Sequence, residues 1–129
     1  MRIALISVFV EDQDTALSFY VDVLGFVPKL DIPAGDYRWL TVASAEQTDG
    51  PELLLEPNAN PIARDYQAGL FAAGIPIAAF AVDDVDEEYR RLSGLGVVFR
   101  SEPRISGGAI FAIFEDTCGN LIQIYEETG

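Results

Sequence analysis

The chain contains no histidine. Histidine is the commonest general base and the commonest transition-metal ligand in proteins, so its absence removes both. A Ser–His–Asp or Cys–His nucleophile cannot be assembled from this chain alone. The single cysteine, Cys118, excludes an internal disulfide and leaves a zinc site of the usual nitrogen and sulfur type with one possible ligand.

Positive charge is also scarce. One lysine and seven arginines accompany 21 acidic residues, and the net charge is −13. Nucleic acids and anionic membrane surfaces both require basic partners, so neither is expected to bind. No apolar run approaches the roughly 20 residues that cross a bilayer, and the N-terminus lacks the layout of a signal peptide. We expect a cytoplasmic protein whose acidic surface keeps it in solution.

What the chain does contain is an internal repeat. Val10-Glu11-Asp12 begins a run that ends at Leu24-Gly25, and Val82-Asp83-Asp84 begins a second run that ends at Leu95-Gly96. The two final aspartates lie 72 positions apart. In each copy an apolar strand leads into an aspartate that can cap a helix, either Asp12 or Asp14 in the first copy and Asp84 in the second, and a Leu-Gly pair follows the helix.

The repeat predicts a single α+β domain over residues 1–129. It consists of two βαβββ modules, module one over 1–57 and module two over 75–129, joined by a linker helix over 58–74. Two curved mixed sheets placed side by side form a cleft, and clefts are where small molecules bind.

Periodicity predicts three further details. A continuous helix is expected over 12–24, and a strand over 97–100. Ile62, Tyr66 and Leu70 recur at four-residue spacing, so they are expected to stack along the linker helix.

Glu56 is the carboxylate with the most informative position. It ends the apolar run Leu53-Leu54-Leu55, and strand alternation places it on the same face as Leu54. It is either an exposed acid at a strand end or a group that points into the cleft, where it could serve acid–base chemistry or hold a cation.

Other polar and aromatic residues leave similar alternatives. Gln123 is either a satisfied polar group of the sheet or a group that orients a ligand. Tyr37 and Trp39 share one strand face and are either core or the wall of a ligand pocket. Arg38 and Arg104 are either anion ligands or surface ion-pair partners.

The chain resembles a known family in five segments. They are Val10-Glu11-Asp12, Ala16-Leu17-Ser18-Phe19-Tyr20, Val23-Leu24-Gly25-Phe26, Phe80-Ala81-Val82-Asp83-Asp84-Val85-Asp86 and Gly119-Asn120-Leu121-Ile122-Gln123. Together they are similar to the vicinal oxygen chelate superfamily, which includes glyoxalase I, extradiol dioxygenases, and fosfomycin and bleomycin resistance proteins. The resemblance covers essentially the whole chain.

The resemblance implies paired βαβββ modules, commonly in a homodimer, and a metal held in the cleft of the family's enzymes by His, Glu, His and Glu. The corresponding positions here are Leu5, Glu56, Ile77 and Gln123. Two aliphatic side chains and an amide cannot hold a divalent transition ion, so no metal or other cofactor is expected. Metal-dependent glyoxalase or dioxygenase chemistry is not expected either.

Three hypotheses follow. The first is a metal-free small-molecule binding protein similar to the bleomycin resistance branch, which holds an aromatic or cationic compound. Its proposed ligand-binding residues are Leu5, Tyr37, Trp39, Ile77 and Gln123. The second is a metal-independent lyase or isomerase with Glu56 as the catalytic base. The third is an interaction module whose cleft is filled by its own side chains. The modules could pair within one chain or between two chains.

Overall fold

A computed structural model describes residues 1–127 of the chain. The chain divides into two compact units, Met1–Tyr66 and a second that begins at Gln67. Each unit contains one four-stranded mixed sheet with helices, which confirms the predicted α+β class and the repeated βαβββ order. No helix within residues 1–127 is long and apolar enough to span a membrane.

The first unit has the strand order β1-β4-β3-β2, in which β1 runs parallel to β4 and the other neighbours are antiparallel. Its elements in chain order are β1 (Leu5–Val10), α1 (Gln13–Ser18), a π-helical turn (Phe19–Val23), β2 (Val27–Ala34), β3 (Tyr37–Ala43) and β4 (Glu52–Pro57).

The second unit has the corresponding order β5-β8-β7-β6, with β5 parallel to β8. The helix α2 (Pro61–Ala73) crosses the boundary between the units. The remaining elements are β5 (Ala78–Ala81), α3 (Val85–Gly94), β6 (Arg104–Ser106), β7 (Ala109–Glu115) and β8 (Leu121–Glu127).

The two repeated aspartates cap their helices as the sequence predicts. Asp12 accepts a hydrogen bond from the backbone N–H three residues ahead at 2.9 Å, and Asp84 does the same at 3.0 Å. Gly25 and Gly96 follow the two helical segments with φ values of 91° and 89°, a conformation that glycine adopts without strain. The repeat is therefore present in backbone geometry as well as in sequence.

The helix predicted over 12–24 is interrupted. Its first part is α1, and a π-helical turn over Phe19–Val23 completes it. The buried face of the segment consists of Gln13, Ala16, Phe19 and Tyr20. The polar residue Gln13 thus lies on the buried face of this segment, where an apolar side chain is expected.

The residues that recur at four-residue spacing along α2 do not form its buried face, and Leu70 is half-buried. Ile62 and Tyr66 are exposed, and the buried positions are Ala63 and Gln67. Gln67 can be buried because its amide donates hydrogen bonds to the Cys118 carbonyl and to Asn120 Oδ1, both at 3.0 Å. These hydrogen bonds allow a polar side chain to lie on the buried face of the helix.

The strand predicted over 97–100 does not form. One isolated bridge joins Phe99 to Phe114, and the Phe99 ring packs against Tyr89 and Phe114 with centroid distances of 4.7 and 5.4 Å. The second strand of this module is β6, which pairs with β7 across a Gly107-Gly108 turn. Two backbone hydrogen bonds flank the Phe99–Phe114 bridge, from the Arg100 N–H to the Ile113 carbonyl at 2.8 Å and from the Glu115 N–H to the Val98 carbonyl at 2.9 Å. The 97–100 segment is therefore joined to β7 at a single pair and does not extend into a ladder.

A buried polar network holds the turn between β7 and β8. Asp116 Oδ1 accepts hydrogen bonds from the N–H groups of Cys118 and Asn120 at 2.8 and 3.0 Å. Its Oδ2 accepts a third from the Asn120 side-chain amide at 2.8 Å. Because Asp116 and Asn120 are almost completely buried, each of these bonds replaces a hydrogen bond to water that the group loses on folding.

We expect Asp116→Ala to lower the free energy of unfolding by roughly 2–4 kcal/mol, because it leaves three buried donors without this acceptor. Urea denaturation measures the change. Thr117→Gly in the same turn is the control. Glycine relieves the strain of the positive φ of 67° at this position, but it also increases the entropy of the unfolded chain. These two effects oppose each other, so the free energy of unfolding should change by no more than about 1 kcal/mol. Equal losses in the two variants would contradict the role of the carboxylate.

Candidate functional site

The face of the first sheet opposite its helical segment carries exposed apolar side chains. Val8, Leu40 and Leu55 are fully buried on the helix side, so strand alternation places their neighbours on the other side. We call that side the first open face. Its principal residues are Leu5, Leu30, Ile32, Tyr37, Trp39 and Glu56.

The exposed side chains of this face are of an unusual type for a sheet surface. Trp39 is 42% exposed, Tyr37 48% and Ile32 51%. A solvated sheet face ordinarily carries polar side chains in alternation with buried apolar ones. An apolar, aromatic sheet face of this kind is typical of surfaces that bind another molecule.

Glu56 lies on the same face near the end of β4. It pairs with Phe9 of the parallel strand β1 and is half-buried. Its carboxylate forms no hydrogen bond or ion pair within residues 1–127. The ladder between β3 and β4 ends at Thr41 opposite Leu54. Trp39 and Glu56 each lie two residues beyond that pair, so strand alternation places both side chains on this face.

Leu5 and Glu56 lie at opposite ends of the β1–β4 pair. Leu5 is opposite Glu52, whereas Glu56 is opposite Phe9. Four residues of strand separate the two positions by about 13 Å. The structure therefore does not bring together these two positions of the metal-ligand set that the resemblance implies.

Strand register also shows which residue of the first unit corresponds to Gln123. Gln123 pairs with Ala79, which is equivalent in the repeat to Ser7, and Ser7 pairs with Leu54. Leu54 is therefore the counterpart of Gln123, and Glu56 lies two residues further along β4.

The second sheet has an equivalent open face, which we call the second open face. Its principal residues are Ile77, Ala79, Phe111, Ile113, Gln123 and Tyr125. Ile77 immediately precedes β5, and its N–H donates to the Leu121 carbonyl at 2.9 Å. Gln123 is half-buried between Ala79 and Ile113, so its amide lies in apolar surroundings within its sheet.

Arg38 is an ion-pair partner. Its guanidinium donates two hydrogen bonds to the Asp31 carboxylate, at 2.9 and 3.1 Å, and a third to Asp14. Hydrogen bonding to Asp31 and then to Asp14 raises the pKa of Arg38, and Arg38 in turn lowers the pKa of Asp31. These bonds join α1, β2 and β3. Arg104 lies on β6 opposite Phe111 and forms no ion pair within the described residues.

Sequence reasoning missed Gln13. Its side chain is buried, and its Nε2 donates to the carbonyls of Arg38 at 2.7 Å and Leu55 at 3.0 Å. Its Oε1 accepts from the Arg38 N–H at 3.0 Å. The one signal in the sequence is the repeat, because the equivalent residue of the second module is the apolar Val85.

The residues on the open faces do not fit a metal ion. Leu5 and Ile77 offer hydrocarbon, and Gln123 offers a neutral amide. Over residues 1–127 no group of three or more His, Cys, Asp or Glu side chains is placed to hold a metal. The donor set of this chain thus differs from the His and Glu set that the family resemblance implies.

Comparison with known proteins identifies the family. The model of the Glyoxalase/Bleomycin resistance protein/Dioxygenase superfamily matches residues 2–124. The chain therefore belongs to this superfamily, as its sequence motifs predict.

Three similar proteins extend this finding. The uncharacterized protein YurT of Bacillus subtilis (strain 168) is 50% identical over 127 residues, which are 98% of this chain and 100% of YurT. The crystal structure of UcmS2 has a TM-score of 0.82 at 30% identity and covers 97% of both chains. That of TnmS3, an antibiotic binding protein from Streptomyces sp. CB03234, has a TM-score of 0.78 at 29% identity, over 98% of this chain and 96% of TnmS3.

The Arg38–Asp31 pair predicts an acid-sensitive contribution to stability. Arg38 lowers the pKa of Asp31 below its ordinary value of 3.8, so the contribution is complete above that value and is lost as pH falls through the folded-state pKa. Wild type should have a higher urea midpoint than Asp31→Asn at pH 7, and the difference should shrink toward zero as the pH falls below the folded-state pKa of Asp31. Asp36→Asn, at an exposed turn residue without an ion pair in the described chain, should show no such difference. A constant difference for Asp31→Asn at all pH values would contradict the assignment.

Proposed function

We propose that the chain is a small-molecule binding protein that holds an organic ligand against the first open face without a metal ion. The observation that carries this proposal is the exposure of Trp39, Tyr37 and Ile32 on one sheet face. The same face carries the Glu56 carboxylate, which has no hydrogen bond or ion pair to any of residues 1–127. Flat aromatic side chains bind flat ligands by stacking and by burial of apolar area.

Glu56 defines the polar requirement of this surface. A carboxylate beside aromatic rings favours a ligand with a protonated amine, because the acid and the ring faces both attract a cation. The net charge of −13 increases the local concentration of such ligands. We therefore propose a planar aromatic compound that carries an amine.

The second open face has a different chemistry. Gln123 can donate and accept hydrogen bonds, and the neighbouring Ile77 contributes apolar surface. We propose that this face contacts neutral polar groups of a ligand, and that the protein is a homodimer, as the resemblance implies.

TnmS3 supports a ligand of antibiotic size. It is an antibiotic binding protein, and its similarity covers nearly the whole of both chains. Since the shared fold alone does not determine a ligand, the proposal depends on the first open face of this chain, and the similarity is supporting evidence.

Elemental analysis of the freshly purified protein tests the metal-free part of the proposal. We expect no stoichiometric nickel, zinc, iron or manganese, and no effect of a chelator on ligand binding, because Leu5 and Ile77 supply no donor atoms. Stoichiometric metal retained after gel filtration would overturn this part. The result does not depend on the identity of the ligand.

Titration calorimetry with the planar aromatic cation proflavine tests the aromatic surface. We expect Trp39→Ala to raise the Kd about tenfold, equivalent to about 1.4 kcal/mol. Tyr66→Ala is the control, since Tyr66 is an aromatic of similar exposure on α2 and should leave the Kd unchanged. Absence of binding to the wild type would favour an interaction module over a ligand-binding protein.

Charge is tested with a matched pair of probes. We expect Glu56→Gln to raise the Kd for proflavine about fivefold, because one ion pair at a hydrated surface contributes up to about 1 kcal/mol. The Kd for the anionic anthraquinone sulfonate should stay the same or fall. Equal effects on both probes would remove the assigned role. Chelator-insensitive turnover of a carbonyl compound that Glu56→Gln abolishes would instead favour the metal-independent enzyme.

A further inference from the structure

The ladder between β3 and β4 is incomplete. It consists of three pairs, from Thr41 opposite Leu54 to Ala43 opposite Glu52. The same register would bring Leu40, Trp39 and Arg38 opposite Leu55, Glu56 and Pro57, but within the described residues the ladder stops at Thr41. The segment of β3 from Tyr37 to Leu40 is paired with β2 and not with β4.

Pro57 gives a covalent reason for this interruption. Proline has no backbone N–H, so it cannot donate to Arg38, the residue that the register places opposite it. A ladder that continued to this point would leave the Arg38 carbonyl without its partner in a part-buried position, which costs free energy.

Gln13 supplies what the ladder lacks. Its amide donates to the Arg38 carbonyl at 2.7 Å and accepts from the Arg38 N–H at 3.0 Å. These are the two bonds that a backbone peptide opposite Arg38 would make. Its second donor bond reaches the Leu55 carbonyl at 3.0 Å, so one side chain spans the two strands.

The second unit shows the alternative arrangement. There β7 and β8 are paired continuously from Glu115 opposite Leu121 to Ala109 opposite Glu127. Phe111 and Tyr125, the counterparts of Trp39 and Glu56 by register, are direct ladder partners. The counterpart of Gln13 is Val85, whose side chain has no group that could replace a ladder bond.

We propose that Gln13 is a positioning residue that fixes Trp39 and Glu56 on opposite sides of an opening in the first sheet. Its two backbone partners, Arg38 and Leu55, immediately precede Trp39 and Glu56 in the chain. The amide therefore sets the separation of the two strands next to the two side chains that contact the ligand. The predicted effect of Gln13 on ligand binding rests on the proposed function. Its predicted effect on the separation of the two strands does not.

Trp39 is the only tryptophan of the chain, so its fluorescence reports on this site without a ligand. We expect Gln13→Leu to increase acrylamide quenching of Trp39, because the segment that carries it loses its connection to β4. We also expect the Kd for proflavine to rise about tenfold. Gln13→Glu, which keeps the shape and the acceptor but loses both donors, should change both quantities in the same direction, and it remains measurable if the leucine variant does not fold.

Gln67→Leu is the matched control. Gln67 is also a buried glutamine with two donor bonds, at 4% exposure compared with 7% for Gln13, and it lies in the second unit. Its replacement should lower the urea midpoint but leave Trp39 quenching and the proflavine Kd unchanged. Unchanged quenching in both Gln13 variants, or equal changes in Gln67→Leu, would overturn the inference.

The two proposals fail in different ways. If wild type binds neither probe but Gln13→Leu still increases Trp39 quenching, the positioning role stands and the proposed function does not. If wild type binds proflavine and the Gln13 variants bind it equally well with unchanged quenching, the proposed function stands and Gln13 is a structural residue only.

Discussion

Three hydrogen bonds of the Gln13 amide constrain the geometry of the first open face. They satisfy both polar groups of Arg38 and the Leu55 carbonyl, which the ladder between β3 and β4 leaves available. Because a buried amide that is fully bonded costs little, the sheet can separate at this point without unfolding. The Arg38 guanidinium adds a second connection through Asp31 and Asp14. Backbone and side chain of Arg38 thus tie the β2–β3 hairpin to α1.

Most of the fold follows from local signals in the sequence. The caps at Asp12 and Asp84 are short-range interactions between neighbours in the chain, so their spacing predicts the helices. The inner faces of α1 and α2 are less accessible to prediction, because Gln13 and Gln67 are buried through bonds to residues far away in sequence. Hydropathy cannot distinguish such an amide from a solvated one. The segment over residues 97–100 is apolar but forms only one bridge. Its Phe99 packs against two other aromatic rings that are distant in sequence or on another element, and the strand pattern does not reveal this.

The strand faces on which the candidate site residues lie were predictable, but the register between the strands was not. Strand alternation correctly places Tyr37 and Trp39 on one face, opposite Arg38 and Leu40. The offset between β1 and β4 is a tertiary property that neither strand encodes alone, so the sequence could not show that Glu56 is opposite Phe9 while Leu5 is opposite Glu52. A shift of two residues keeps the face and changes the neighbours.

Pro57 has a consequence for how the two halves of this chain can diverge. Replacing Gln13 alone leaves the backbone N–H and carbonyl of Arg38 and the Leu55 carbonyl without this partner. Replacing Pro57 alone introduces an N–H opposite the Arg38 carbonyl, which already accepts from Gln13. Conversion to the continuous ladder of the other half therefore requires changes at both positions. Gln13 and Pro57 are thus energetically coupled, and their substitutions are expected to be non-additive in their effect on stability.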